Sequence, residues 1–495
     1  ACTMKYPPYL HVPQVRDAVR TQADQGLSTS CAYSFRTLFT AFTTLLTTNV
    51  TTRRTSVAAG ICLSLLLLLP WLFSPCRLLL APPQFNEHLR KDIACSISIR
   101  PGHRCDGSVD DSAFLQSILA TCAERRQSVV LRTNCNCTAV SLWLPSHSTL
   151  AIEHGAQLQA APPHQWVACR WPTFESLLRI QPRIMPGLLS ASDAHNITLS
   201  GGGVLNGNGA QWWPRTVFAA ALARPRLIQF ENTTNVLIEN LTLLNPAFWS
   251  ASLGGSQYTI RDIVVRAPAW REAPNTDGID VAATNVHITR VDISNGDDSI
   301  CIKSPSANVL VEDSVVREGN GLVIGTVWSG LERDDPWEAS VHNVTFRNCV
   351  ALDTTFGAHV KYYPPQHGRV SNVTYENIQI YQTKAATSRR IDSGDHAGYA
   401  IGIHLFDQGR RQLSWPWVSA TPPCVRVSNV TFRNITGDVL HAGEFICSGA
   451  GKIPACQNVM LQDIHLTIPQ ASGDCIFRGV TGKSEGHIWP SSCAL

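Results

Sequence analysis

From residue 195 onward one short phrase keeps returning, and it dictates the architecture. It reads "HNITLSGGGVLNG", "TNVLIENLTLLN", "TNVHITRVDISN", "ANVLVEDSVVRE", "HNVTFRNCVALD", "SNVTYENIQIYQ", "SNVTFRNITGDV" and "QNVMLQDIHLTI" in turn. Each copy has Asn as its second residue and then alternates apolar and polar side chains, the period of a strand with one buried face. The steps from Asn285 to Asn308, Asn343 to Asn372 and Asn429 to Asn458 fall in the range of a repeating structural unit. Units of this size cannot bury an apolar face alone, and stacking them closes the core, which predicts a solenoid. The expected fold is all-β, a right-handed parallel β-helix. A sandwich or propeller fits less well, because no hairpin turns separate these strands and no four-strand blade pattern recurs.

An open solenoid end needs a cap. "DDSAFLQSILATCAERR" predicts an N-terminal capping helix, since Phe114, Leu115, Ile118, Leu119 and Cys122 recur at helical spacing and Asp111 stands where it can cap the start. With 495 residues, 44% of them hydrophobic and 16% charged, the chain can bury a large core. A net charge of +3 and the lack of any basic, aromatic-interleaved stripe argue against nucleic acid as a partner.

The N-terminal region reads differently. Residues 57–73, "VAAGICLSLLLLLPWLF", follow Arg53 and Arg54, an arrangement that keeps the basic flank cytoplasmic. The expected organisation is a disordered tail over 1–56, an apolar signal anchor or signal sequence over 57–80, and a β-helix over 81–495. The β-helix would then lie in the secretory pathway, membrane-anchored with a luminal or extracellular domain, or secreted if the segment is cleaved. Thirteen of the 17 Cys lie from Cys95 to Cys493, which suits an oxidising compartment, and their odd number leaves at least one free or paired between chains. No Cys spacing matches a zinc site. Sequons at Asn136, Asn196, Asn240, Asn343 and Asn434 fit glycosylation there, although several fall inside the repeat.

In a β-helix, equivalent positions of successive coils stack about 4.8 Å apart, so polar residues at strand ends line one groove. "NTDGID" with Asp277 precedes "GDDSI" with Asp297 and Asp298 by about one coil; "EGNGLVIG" with Asn320 follows by one, and "HVKYY" with His359 and Lys361 by another. Clustered carboxylates repel, which raises at least one pKa and keeps that group protonated. A protonated carboxyl beside an ionised one equips glycoside hydrolysis. Adjacent aspartates in a turn more often only bond the backbone or bind calcium, as Asp334 and Asp335 of "ERDDPW" illustrate; Asp297 and Asp298 differ by context, being followed by the inward-pointing Ile300 and Ile302.

The runs "RPRLIQFENTTNVLIENLTLLNPAFWS", "APNTDGIDVAATNVHITRVDISNGDDSICIKS" and "GNGLVIGT", with "GGGVLNGNGAQWW" upstream, resemble the polygalacturonase-like glycoside hydrolases, pectin-degrading β-helix proteins. The resemblance implies inverting, single-displacement hydrolysis of α-linked uronic acid chains by a monomer without cofactor or metal. It implies that Asp297 is the general acid, that Asp277 and Asp298 activate water, and that Lys361 binds a substrate carboxylate, with Asn275, Asn320 and His359 lining the substrate site. Inverting pairs commonly leave ~6.5–9.5 Å between carboxyl groups. Two positions depart from the family. Its glycine-histidine-glycine is Gly319-Asn320-Gly321, and an amide can bond a carboxyl but cannot share its proton. Its arginine-apolar-lysine is His359-Val360-Lys361, which loses a bidentate fork for carboxylate. A polysaccharide lyase and a non-catalytic glycan-binding solenoid are the alternatives on this scaffold. Tyr399, His404 and Asp407 of "YAIGIHLFDQGRR", and Trp212 with Trp213, read as structural rather than substrate-facing.

Overall fold

The computed structural model describes residues 95–97, 104–166, 185–216, 224–269, 271–325, 327, 339–362, 367–383, 398–405, 424–447, 456–469 and 475–495. The predicted tail and apolar segment, Asp334, Asp335 and Asp407 lie outside these residues. Among the described residues no helix is long and apolar enough to cross a membrane.

Every strand ladder among the described residues is parallel, and the strands belong to one continuous stacked system, so the described residues form an all-β parallel β-helix. Each central coil carries up to three extended segments. One column runs Ile279–Val281, Ile300–Ile302, Leu322–Ile324 and Ala358–Val360 in strict register. A second aligns Val286, Val309, Val344, Val373, Val430 and Val459, and a third aligns Val265, Ile293, Val316, Ala351 and Ile380. These side chains are buried, and inside the coil Phe346, Tyr375 and Phe432 stack ring on ring at 4.9 and 5.0 Å.

The recurring Asn marks a corner. Asn285, Asn308, Asn343, Asn372, Asn429 and Asn458 all have φ between 54° and 58°. This left-handed conformation is costly for most side chains but accessible to Asn. From Asn308 onward each donates Nδ2 to Oδ1 of its neighbour one coil earlier, at 2.9–3.2 Å. The polar side chain thus satisfies itself along the stack while the chain bends between two sheets.

The predicted cap is the helix Ser112–Glu124, with Leu115, Ile118, Leu119 and Cys122 buried and Phe114 packed at the margin of the core. Asp111 stands at its N-cap position but makes no side-chain cap bond. Its buried carboxylate instead accepts from the backbone N–H groups of Cys105 and Thr138, tying the helix to the first coils. Disulfides fasten both ends: Cys95–Cys122 and Cys105–Cys137 at one, Cys447–Cys456 and Cys475–Cys493 at the other. Cys135, Cys301 and Cys349 are buried, and Cys301 and Cys349 are free thiols.

Candidate active site

The turns that enter the first column build the site. Asp277, Asp298 and Asn320 each stand two residues before a member of the paired set Ile279, Ile300 and Leu322, so they occupy one vertical position on successive coils. Backbone bonds continue the ladder into the turns, from Gly278 N–H to Asp298 C=O and from Asn320 N–H to Asp297 C=O. Asn295 holds the Asp-Asp turn in shape. Its buried amide donates to the carbonyls of Thr276, Asp297 and Asp298, and its oxygen accepts from the Ser299 hydroxyl. Gly319 has to be glycine, since a Cβ there would meet Asn295 Oδ1 at 2.3 Å and the Asp297 carbonyl at 2.4 Å.

This packing brings one oxygen each of Asp277, Asp297 and Asp298 within 4.8 Å of one another. The spacing is tighter than the ~6.5–9.5 Å of a common inverting pair. The reason is the stacking itself: Asp277 and Asp298 are column neighbours, and Asp297 adjoins Asp298 along the chain. All three are buried, Asp297 being the most exposed at 7%. They differ in what meets them.

Asp298 is the anion of the set. Lys361 Nζ lies 2.7 Å from its Oδ1 and 2.5 Å from its Oδ2, and Asn320 Nδ2 donates to Oδ1 at 2.9 Å. Burial opposes ionisation, but the Lys361 and Lys303 ammoniums and these hydrogen bonds overcome it and hold the carboxyl well below the usual carboxylate range. Asp277 is the opposite. Burial first, then repulsion from Asp280, Asp297 and Asp298, pushes its carboxyl well above that range, and among the described residues its Oδ1 has no hydrogen-bond partner. Asp297 accepts at Oδ1 from Asn320 Nδ2 (2.8 Å) and its own neighbour's N–H (3.0 Å), while Oδ2 faces the exposed Asn275 amide at 3.4 Å. A single Asn320 nitrogen therefore bridges the two adjacent aspartates.

The remaining predicted residues sit nearby with unequal access. Lys361 is committed to Asp298. His359 shares its strand but is buried, packed on Phe356 at 4.5 Å and on His404 at 5.7 Å between ring centroids. His404 pairs with buried Glu444 at 2.8 Å, Tyr399 is buried beside it, and Trp212 and Trp213 are buried as well. Trp213 Nε1 donates to the Pro246 carbonyl.

Sequence reasoning passed over three contributors. Asp280 and Lys303 form a buried ion pair at 2.9 Å next to the cluster, with burial raising the Asp280 carboxyl to about 6 against the pull of Lys303. Both stood inside the motifs, in "NTDGID" and "ICIK". Asn295 stood there too, and only the folded turn reveals its three-way bond. The three clustered carboxylates are close enough to ligate a cation, but the Lys361 ammonium and the Asn320 amide already meet two of them. The other acidic group with thiols, Cys105, Asp111 and Cys137, contains a disulfide.

Residues 181–388, which contain every site residue named above except Tyr399, His404 and Glu444, match the model of the glycosyl hydrolases family 28. The match takes in the coils that carry the site and covers less than half of the chain. A polygalacturonase of Cryptomeria japonica is 28% identical over 303 residues, 59% of this chain and 54% of that protein, so the match spans about half the relative's length. A polygalacturonase of Gossypium hirsutum is 26% identical over 409 residues, 79% of this chain and 89% of that protein. Among solved structures, an exopolygalacturonase from Thermotoga maritima aligns with a TM-score of 0.61 at 18% identity, covering 77% of this chain and 88% of that one. At that identity the likeness is one of fold. The adjacent aspartates have a plain explanation: the turn separates their surroundings, so Asp298 faces a lysine and Asp297 the exposed Asn275 amide.

Proposed function

We propose that this protein hydrolyses α-glycosidic bonds in an acidic, pectin-like polysaccharide by single displacement. The observation that carries the reading is the charge division within one buried cluster, with Asp298 kept ionised by Lys361 and Asp277 pushed to keep a proton. In the free protein the cluster's proton rests on Asp277. Once sugar excludes water, the proton passes to Asp297, the most exposed of the three, whose Oδ2 faces the open side through Asn275. Asp297 gives it to the leaving glycosidic oxygen as the C1–O bond breaks. Asp277, now ionised, takes a proton from the water that Asp298 helps to orient, and the water oxygen bonds to C1. The new reducing end carries that oxygen, and the site returns to its resting protonation.

The short carboxyl spacing is compatible with this scheme because Asp277 and Asp298 hold one water jointly instead of facing Asp297 across a sugar. Asn320 supplies the neutral bridge between acid and base. His359 supports the wall through Phe356, and Lys361 serves the substrate through Asp298. A lyase reading finds less support, since Lys361, the nearest candidate base, is tied to a carboxylate.

The right-handed coil, the domain limits at residues 57 and 81, the membrane anchor and the monomeric state belong to the same proposal. The four disulfides support a secretory route for the β-helix. The test is product chemistry on polygalacturonate, rhamnogalacturonan and xylogalacturonan from acidic to neutral pH. New reducing ends without unsaturated products, lost in Asp297→Asn by about 100-fold or more, are expected. Unsaturated products would mean a lyase, and binding without turnover in both proteins would mean a glycan-binding solenoid.

A further inference from the structure

The column that carries Asp277 and Asp298 continues in the other direction. Ile228, Ala251, Ile279 and Ile300 pair in register, so the residues two before them, Arg226, Trp249, Asp277 and Asp298, form one row. Arg226 lies two coils from Asp277, about 10 Å along the axis. Its guanidinium rests over Trp249 at 4.5 Å and Phe248 at 5.3 Å, two half-exposed rings that stack on each other. Among the described residues no carboxylate comes within ion-pairing distance of it, and its buried Nε has no acceptor. A guanidinium left this way is costly unless something pairs with it.

Arg224 stands beside it on the same strand edge. Its guanidinium lies over Phe248 at 4.7 Å and donates to the carbonyls of Ala247 (3.0 Å) and Pro274 (2.7 Å) and to Asn275 Oδ1 (2.9 Å). That last bond turns the Asn275 amide so that its Nδ2 faces Asp297. Arg224 is fixed, yet among the described residues its Nε and one Nη2 hydrogen have no acceptor.

We propose that Arg226, with Arg224 beside it, is a carboxylate-binding subsite that holds a uronic acid residue of the polysaccharide next to the bond being cut. A planar fork on an aromatic platform suits a carboxylate. The subsite takes over what the other side of the cleft does not offer, where His359 is buried and Lys361 is bound to Asp298. The inference rests on the reading of the substrate as a uronic acid chain.

The test is calorimetric titration of the full chain carrying Asp297→Asn, which stops turnover, with trigalacturonate and with its methyl ester. Adding Arg226→Gln is expected to weaken the acidic oligomer by about 10-fold or more while leaving the ester unchanged. Arg226→Lys, which keeps the charge without the fork and controls for misfolding, is expected to recover part of the loss. An equal loss on both ligands, or none, would overturn the subsite, as would a chain that binds no trigalacturonate. Turnover by the protein with Asp297 intact separates the two claims. Arg226-dependent binding without turnover keeps the subsite and sinks the hydrolase, whereas turnover untouched by Arg226→Gln does the reverse.

Discussion

At neutral pH the Asp277 carboxyl opposes folding, because burial and the neighbouring carboxylates disfavour its ionised form. Its folded pKa is raised, by burial and then by Asp280, Asp297 and Asp298, so its contribution to stability is full below the unfolded carboxylate pKa near ~3.9. That contribution is lost as pH rises through the folded value. Asp298 runs the other way: with a depressed folded pKa it stabilises above ~3.9 and loses that contribution as pH falls. Asp277→Asn is therefore expected to raise the urea midpoint at neutral pH while abolishing turnover, with the stability gain shrinking toward pH 4. Urea unfolding at several pH values checks this, and a lower midpoint at neutral pH would contradict the assignment of the resting proton. At this scale the sequence disclosed which residues gather but not how their charges divide. Asp297 and Asp298 are chemically identical in the chain; what separates them is Lys361, which lies 63 residues from Asp298. His359 likewise looked like a substrate contact until the fold set Phe356 against it.

At the scale of the coil, the Asn of the repeat explains both the bend and the register, and it bears on modification. Asn343 and Asn434 begin sequons, yet each donates Nδ2 to an asparagine one coil earlier. A glycan on that nitrogen would break the ladder. Asn240 also begins a sequon, is exposed, and makes no such bond among the described residues. Protein from a glycosylating host is expected to carry glycan at Asn240 and none at Asn343 or Asn434, readable by mass spectrometry after enzymatic release in heavy-oxygen water. Occupied ladder positions would show that the corner tolerates disruption. The repeat was legible because strand alternation and the left-handed corner leave a local signature. A second row, with Asp313, Asn348, Asn377, Asn434 and Asp463 also at positive φ, was as visible and went unread because its residue type alternates between Asn and Asp.

The described coils form a stack fastened by disulfides at its two ends, with the clustered carboxylates between them. Disulfides close the first and last described coils, while the central coils rely on apolar columns and asparagine ladders and keep their cysteines buried and free. The solenoid and its capping helix could be read from periodicity alone. The arginine and aromatic platform could not, because Arg226 and Asp277 become neighbours of one column only when the intervening coils are stacked. Whether the carboxylate cluster directs water to C1 in one displacement is read most directly by following the first turnovers on an α-linked oligogalacturonate by proton NMR. The β-anomer of the new reducing end is expected to appear before mutarotation, with no resonance from a C4–C5 double bond. Initial formation of the α-anomer, or of an unsaturated product, would contradict a single displacement by water.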